Sequence, residues 1–183
     1  MKTAQPKKTK IPSAIVGAAG EHFVMGELLR RGFIAALAPQ GAPNMDILIA
    51  DTFGNHLLSI QVKTRTTIGG DGGWHMSEKH EKIKGSKLLY VFVDLGKPTG
   101  ESPDYFIIPA ITVAKIVFET HKAWERNPGK RGQQRSQTNK MRRIRPDNTS
   151  SYTAEKPEYT LGWMDSYKSA WHFLENSNSV RHR

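Results

Sequence analysis

Cysteine is absent from the 183 residues, which removes disulfides, thiolate metal sites and cysteine nucleophiles. A reducing compartment is compatible with that absence. Long hydrophobic runs are missing as well, and no apolar stretch approaches the ~20 residues needed to span a bilayer. The basic start MKTAQPKKTKIP is followed by Gly17, Gly20, Glu21 and His22, which interrupt the apolar core that a signal peptide requires. The expectation is a soluble, cytoplasmic protein with no membrane partner. Aromatic residues are few, at 9%, and hydrophobic residues make up 37%, so some segment lacks a core pattern. No GxSxG, Walker or dinucleotide fingerprint occurs, and the GGDGG stretch at 69–73 has no strand-to-helix setting in which to cradle phosphate. His75 and His80 lack the spacing of a zinc pair on one helical face.

Acidic residues are also outnumbered, giving a net charge of +10 that is unevenly spread. Residues 121–150 hold nine Lys or Arg (Lys122, Arg126, Lys130, Arg131, Arg135, Lys140, Arg142, Arg143, Arg145) against Glu125 and Asp147, which is +7 of the +10. Lys2, Lys7, Lys8 and Lys10 add an acid-free N-terminus. Clustered positive charge attracts polyanions, because each neutralised phosphate releases condensed counterions. A solvated basic segment that only confers solubility is the competing reading.

Apolar residues from Ser13 to Arg31 recur at helical spacing, with Ser13 as the expected N-cap and Gly32 as a stop. Strands are expected at 33–38, 46–50 and 56–64, the last two paired as a hairpin through Asp51, Gly54 and Asn55. After a mobile glycine loop at 69–73 come a short polar helix at 76–84, strands at 88–94 and 105–108, and a helix at 110–119 introduced by Pro109. The basic stretch beyond has neither helical nor strand period and reads as a long loop. Residues 161–174 carry a helical stripe of Trp163, Met164, Tyr167, Ala170, Trp171 and Leu174, expected to be a packing face. The element order gives an α/β sandwich around a central mixed sheet.

On the third strand Gln61, Lys63 and Arg65 share one face, and Ile60, Val62 and Thr64 the other. The hairpin brings Asp46 beside Gln61 and Lys63. Two explanations fit: an Asp46–Lys63 salt bridge with Gln61 merely hydrogen-bonded, or a divalent-cation site. In the second, Asp46, the Gln61 amide oxygen and the Val62 main-chain carbonyl are ligands, and Lys63 faces the scissile phosphate. Glu21 bears on the choice, since Gly17, Ala18, Val24 and Met25 surround it on its helical stripe and turn its carboxylate inward. Glu27, three and four residues before Arg30 and Arg31, reads instead as a surface ion-pair partner.

The helix GEHFVMGELLRRGF, the PNMD that follows and the hairpin ending in QVK resemble the PD-(D/E)xK nuclease superfamily, in particular its restriction-endonuclease-like and Holliday-junction-resolvase-like members. The resemblance covers about 13–116. It implies an αβββαβ restriction-endonuclease-like sandwich with Glu21 as the helix acid, Asp46 as the motif aspartate, and Gln61 and Lys63 as the ends of the third motif. Two departures stand out: Pro43 lies three positions before the aspartate, and the third-motif acid is a glutamine, a QxK variant found in some branches of the superfamily. Residues 1–12 then form a basic tail, 13–120 the nuclease core, 121–156 a basic flexible insertion and 157–183 a C-terminal helix on the core.

The resemblance implies a Mg²⁺- or Mn²⁺-dependent endonuclease acting on DNA, branched or structured DNA included, as a homodimer or homotetramer. Glu21, Asp46, Gln61 and Lys63 would be catalytic, with Glu21, Asp46, Gln61 and Val62 around the cation. Arg65, Lys130, Arg131, Arg135, Lys140, Arg142, Arg143 and Arg145 are the expected nucleic-acid contacts. Two alternatives stay open: a catalytically inactive nucleic-acid-binding module of the same fold, and an oligomeric protein-interaction subunit with Trp163, Tyr167 and Trp171 as its contact stripe.

Overall fold

In the computed structural model, residues 11–54, 58–66, 72–96, 100–129, 131–146 and 157–176 are described. Helix α1 spans Ser13–Arg30. Pro12, not Ser13, holds its cap position, and the Pro12 carbonyl accepts from the Ile15 and Val16 N–H groups at 3.0 and 3.2 Å. The helix closes where Gly32 takes φ +84°, which lets the Phe33 N–H return to the Leu28 carbonyl at 3.1 Å.

Strands β1 (Ile34–Leu37), β2 (Ile47–Ala50), β3 (Leu58–Arg65), β5 (Leu88–Asp94) and β6 (Asp104–Pro109) form one mixed sheet in the order β1-β2-β3-β5-β6. Only β3 and β5 run parallel; the other neighbours are antiparallel. The β2–β3 hairpin is as expected, although 55–57 lie outside the described residues.

Each sheet face has its own core. Ile47, Ile49, Ile60, Val62, Val91 and Ile107 pack beneath Val24 and Leu28 of α1. On the opposite face Tyr90, Phe92, Phe106 and Ile108 pack beneath α2 (Ala110–Arg126), through Val113, Ile116 and Val117. That second layer covers β5 and β6. It leaves Leu48 and Ile34, on β2 and β1, exposed.

Three further expectations are corrected. Residues 76–84 are not a helix: Trp74–Ser77 is strand β4, and a 3₁₀ turn follows at Glu78–Glu81. Trp74 and Met76 are buried while His75 is exposed and Ser77 partly so, a strand period hidden by so short a segment. Residues 121–150 are not one loop. Helix α2 runs on to Arg126 because Thr120, His121 and Ala123 continue its buried stripe, and Met141–Ile144 forms β7, paired antiparallel with β4 in a two-stranded sheet.

Nor is 161–174 a single helix. Short 3₁₀ turns at Pro157–Tyr159 and Asp165–Tyr167 precede a one-turn α3 (His172–Asn176). This segment wraps the edge of β6: Tyr159, Trp163 and Met164 join the α2-side core, and Ala170, Trp171 and Leu174 the α1-side core. The crossing is tied by the Phe106–Lys168 bridge and by the Ser169 N–H donating to the Tyr105 carbonyl at 2.8 Å. An edge strand is thereby covered. The stripe is a packing face as expected, but Trp171 is 7% exposed and so is not a free contact surface. No described helix is long and apolar enough to cross a membrane.

Candidate active site

Asp46 stands one residue before β2, at the point where that strand leaves the sheet. Its N–H donates to the Ile60 carbonyl at 2.7 Å, so it extends the hairpin register and lies opposite Gln61. Its Oδ2 accepts from the Val62 N–H at 2.7 Å and from Gln61 Nε2. Successive side chains of β3 alternate between faces. Ile60 and Val62 point to the α1 core, while Gln61 and Lys63 share the other face with their β5 partners Tyr90 and Phe92. Among the described residues no ion pair joins Asp46 to Lys63, so the salt-bridge explanation is not the arrangement adopted. Gln61 is buried, and Lys63 and Asp46 are half-buried.

Glu21 comes to this edge because α1 lies very close to β3. A methyl group at Gly20 would overlap the Thr64 side chain, so only glycine permits the approach. Glu21 is half-buried rather than in open solvent. Burial raises its carboxyl above the usual 4.5, and the Asp46 carboxylate adds to that rise. Burial lowers the Lys63 ammonium from 10.5, while Asp46 and Glu21 resist that fall and Lys79 adds to it. Two acids and one amine thus share one field, although Glu27 sits apart in ion pairs with Arg30 and Arg31.

Two further side chains enter the same neighbourhood. Tyr90, the β5 partner of Gln61, is bonded through its hydroxyl to His80 Nδ1 at 2.7 Å. His80 is 2% exposed, and burial, with Lys63 and Lys79 nearby, drops its ring to about 4. Burial and Asp46 push the Tyr90 hydroxyl up. One signal of this pair is legible in the chain, a tyrosine within the apolar strand LLYVFVD.

The expected phosphate contacts divide. Arg65 is 8% exposed, ion-paired with Asp94 at 2.5 Å, bonded to the Gly72 carbonyl at 2.6 Å and stacked on Trp74 at 3.9 Å. It is a structural arginine, not a strand-end charge. Arg142 is likewise 8% exposed and paired with Glu81. Arg131 and Lys140 are exposed, and Arg143 and Arg145 partly so. Arg135 stacks over Trp124 at 4.9 Å. Lys130 lies outside the described residues.

Among the described residues no three His, Cys, Asp or Glu side chains gather as a metal group. Any cation here must therefore use amide and main-chain oxygens beside carboxylates, a donor set suited to a hard ion such as Mg²⁺. The donor types at the site suit one. The N–H and C=O of a strand residue point the same way, so the Val62 carbonyl faces the edge where its N–H meets Asp46. In this structure Gln61 presents Nε2 to Asp46, and a half-turn of its amide would present Oε1 instead.

No protein-family model and no curated protein sequence matches the chain. Among solved structures it is similar to a bacterial homing endonuclease, I-Ssp6803I, with TM-score 0.54 and 10% identity over 94% of this chain and 97% of that one. It also matches Hjc, a Holliday junction resolvase of the archaeal hyperthermophile Archaeoglobus fulgidus, with TM-score 0.40 and 17% identity over 70% and 83% of the two chains. With its mixed five-stranded sheet and its helices on both faces, the chain has the restriction-endonuclease-like nuclease fold.

Proposed function

We propose that this protein is a DNA endonuclease that hydrolyses phosphodiester bonds with a divalent cation, Mg²⁺ or Mn²⁺, held by Asp46, the Gln61 amide oxygen and the Val62 carbonyl, with Glu21 beside them. The observation that carries this reading is the meeting of Asp46 with the Gln61–Val62 segment of β3, beside a lysine on the same strand. Asp46, the Gln61 amide oxygen and the Val62 carbonyl would hold such a cation, which would supply Lewis-acid polarisation of the phosphate and activation of water. Lys63 lies two residues along β3 on the face of Gln61, placed to orient that water or to neutralise charge developing on the phosphorus oxygens. Its reduced proton affinity comes from burial, and Asp46 and Glu21 oppose the loss of the proton. The excess of Lys and Arg supplies attraction to a duplex. A homodimer or homotetramer and a soluble cytoplasmic setting complete the proposal.

The test is cleavage of plasmid, branched and single-stranded DNA in Mg²⁺ or Mn²⁺ by the wild type and by Lys63→Ala and Asp46→Ala. Each substitution is expected to reduce the rate by at least about 10²-fold, on the scale of losing a positioned charge. Cleavage that survives both substitutions removes this site. Salt-sensitive DNA binding without any cleavage favours the inactive binding module.

A further inference from the structure

The β4–β7 ribbon takes no part in the chemistry proposed above. Its inner face is filled by Trp74, Met76, Ile144 and the Arg142–Glu81 pair, all directed at the α2-side core. Its outer face is different. His75 and Arg143 are direct cross-strand partners there, as are Ser77 and Met141. His75 and Met141 are exposed, while Ser77 and Arg143 are partly exposed. Lys140 extends this end of β7, with its side chain 78% exposed.

Two properties separate this surface from a merely solvated ribbon. First, its chemistry is mixed: a guanidinium, an imidazole, a hydroxyl and a thioether stand side by side, with Arg143 Nη2 donating to Met141 Sδ at 3.7 Å. Phosphate attraction alone needs only charge, whereas base edges in the major groove offer acceptors to Arg and a methyl group to an apolar side chain. Second, the ribbon is held rigidly to β3. Arg65, two residues beyond Lys63, bonds the Gly72 carbonyl at 2.6 Å and stacks on Trp74 at 3.9 Å. Trp74 Nε1 also donates to the Val93 carbonyl at 3.0 Å. The ribbon and Lys63 are therefore on the same side of the sheet at a fixed separation, and Lys79, just past β4, lies within the field of Lys63.

The dimensions agree. A two-stranded ribbon enters the major groove, which is about 12 Å wide, and four residues of strand cover about 13 Å, or about four base steps. α2 backs β7 from behind, which supports such an insertion.

We propose that the outer face of the β4–β7 ribbon reads base edges in the major groove of duplex DNA, with Arg143 directed at guanine and His75 beside it. This rests on the DNA reading above and extends it to sequence preference.

The test uses the full chain in EDTA, so that binding is read without cleavage. The wild type and Arg143→Ala, Arg143→Lys and His75→Ala are each used to select bound duplexes from a randomised pool. Affinity is then measured for the wild-type selected sequence and for random DNA. The wild type is expected to enrich a short motif containing guanine, with N7 methylation of that guanine blocking binding. Arg143→Ala should lose the preference at that base and at least about tenfold in affinity for the selected sequence. Arg143→Lys, which keeps the charge but not the planar fork, should lose the preference while holding its affinity for random DNA.

The proposal is overturned if the wild type enriches no motif, if Arg143→Lys keeps the wild-type motif, or if Arg143→Ala weakens all sequences equally as a phosphate contact would. Failure to bind any duplex sinks this proposal and the nuclease reading together. Metal-dependent cleavage with a motif untouched by the variants sinks the ribbon alone. Unchanged circular dichroism of each variant shows that the exposed substitutions leave the fold intact.

Discussion

Gln61 sets the charge of the candidate site. With a carboxylate in its place, Asp46 and Glu21 would be joined by a third acid around one small volume. The cost of mutual repulsion would then fall on the cation-free protein. Gln61→Glu is therefore expected to lower the Mg²⁺ concentration that half-saturates cleavage and to lower the melting temperature in EDTA, with the difference closing as Mg²⁺ is added. A titration of cleavage and melting against Mg²⁺ checks both.

His80 makes a separate prediction. Its ring titrates near 4 in the fold and near 6.5 in the unfolded chain, so the native state resists a proton that the unfolded state accepts. The resulting stability is fully present above pH 6.5 and is lost progressively as pH falls towards 4, on the order of 3 kcal/mol in all. His80→Gln should flatten this acid limb in denaturant unfolding measured from pH 7 to pH 4.5. An unchanged limb would place the acid sensitivity on other groups.

At the scale of elements, the ribbon illustrates how identical residue types divide by strand parity. Arg142 and Arg143 are neighbours in sequence, but Arg142 turns inward to Glu81 and Arg143 lies opposite His75. Removing one partner of a buried pair leaves a desolvated charge, at a cost of about 3–5 kcal/mol. Arg142→Ala should accordingly shift the denaturant midpoint strongly while DNA affinity of the folded protein stays near wild type. A stability change within experimental error, combined with lost DNA affinity, would mean that Arg142 contacts phosphate after all.

The same parity explains why β4 and β7 were not legible in advance. Four-residue strands offer only two inward positions each, and in β7 one of the two is an arginine. The longer elements give stronger signals: α1 runs for 18 residues, and β3 alternates apolar and polar residues over eight.

For the whole molecule, the net charge of +10 would, on the proposed DNA reading, weigh more in affinity than any single contact. If the exposed cations of 131–145 neutralise about four phosphates, affinity for random DNA should fall about 10²-fold between 50 and 200 mM salt. Binding isotherms across that range measure the slope, and a slope near zero would leave the positive charge without a polyanionic partner. The two sheet faces divide the remaining tasks. One is closed by α1 and the C-terminal segment; the other is closed over β5 and β6 and, through Arg65 and Trp74, over the end of β3, which leaves Ile34 of β1 and Leu48 of β2 exposed.

By itself the sequence determined the order of the main elements, the β2–β3 hairpin and the face shared by Gln61 and Lys63, because helical and strand periods act over a few residues and survive in any context. It also determined the absence of thiol chemistry and the excess of positive charge. Tertiary structure alone decided the neighbours that are distant in the chain: α1 drawn against β3 at Gly20, His80 bonded to Tyr90, and Arg65 and Arg142 consumed by Asp94 and Glu81. Which arginines can meet a phosphate depends on which carboxylates fold beside them, and local periodicity holds no record of partners 29 or 61 residues away.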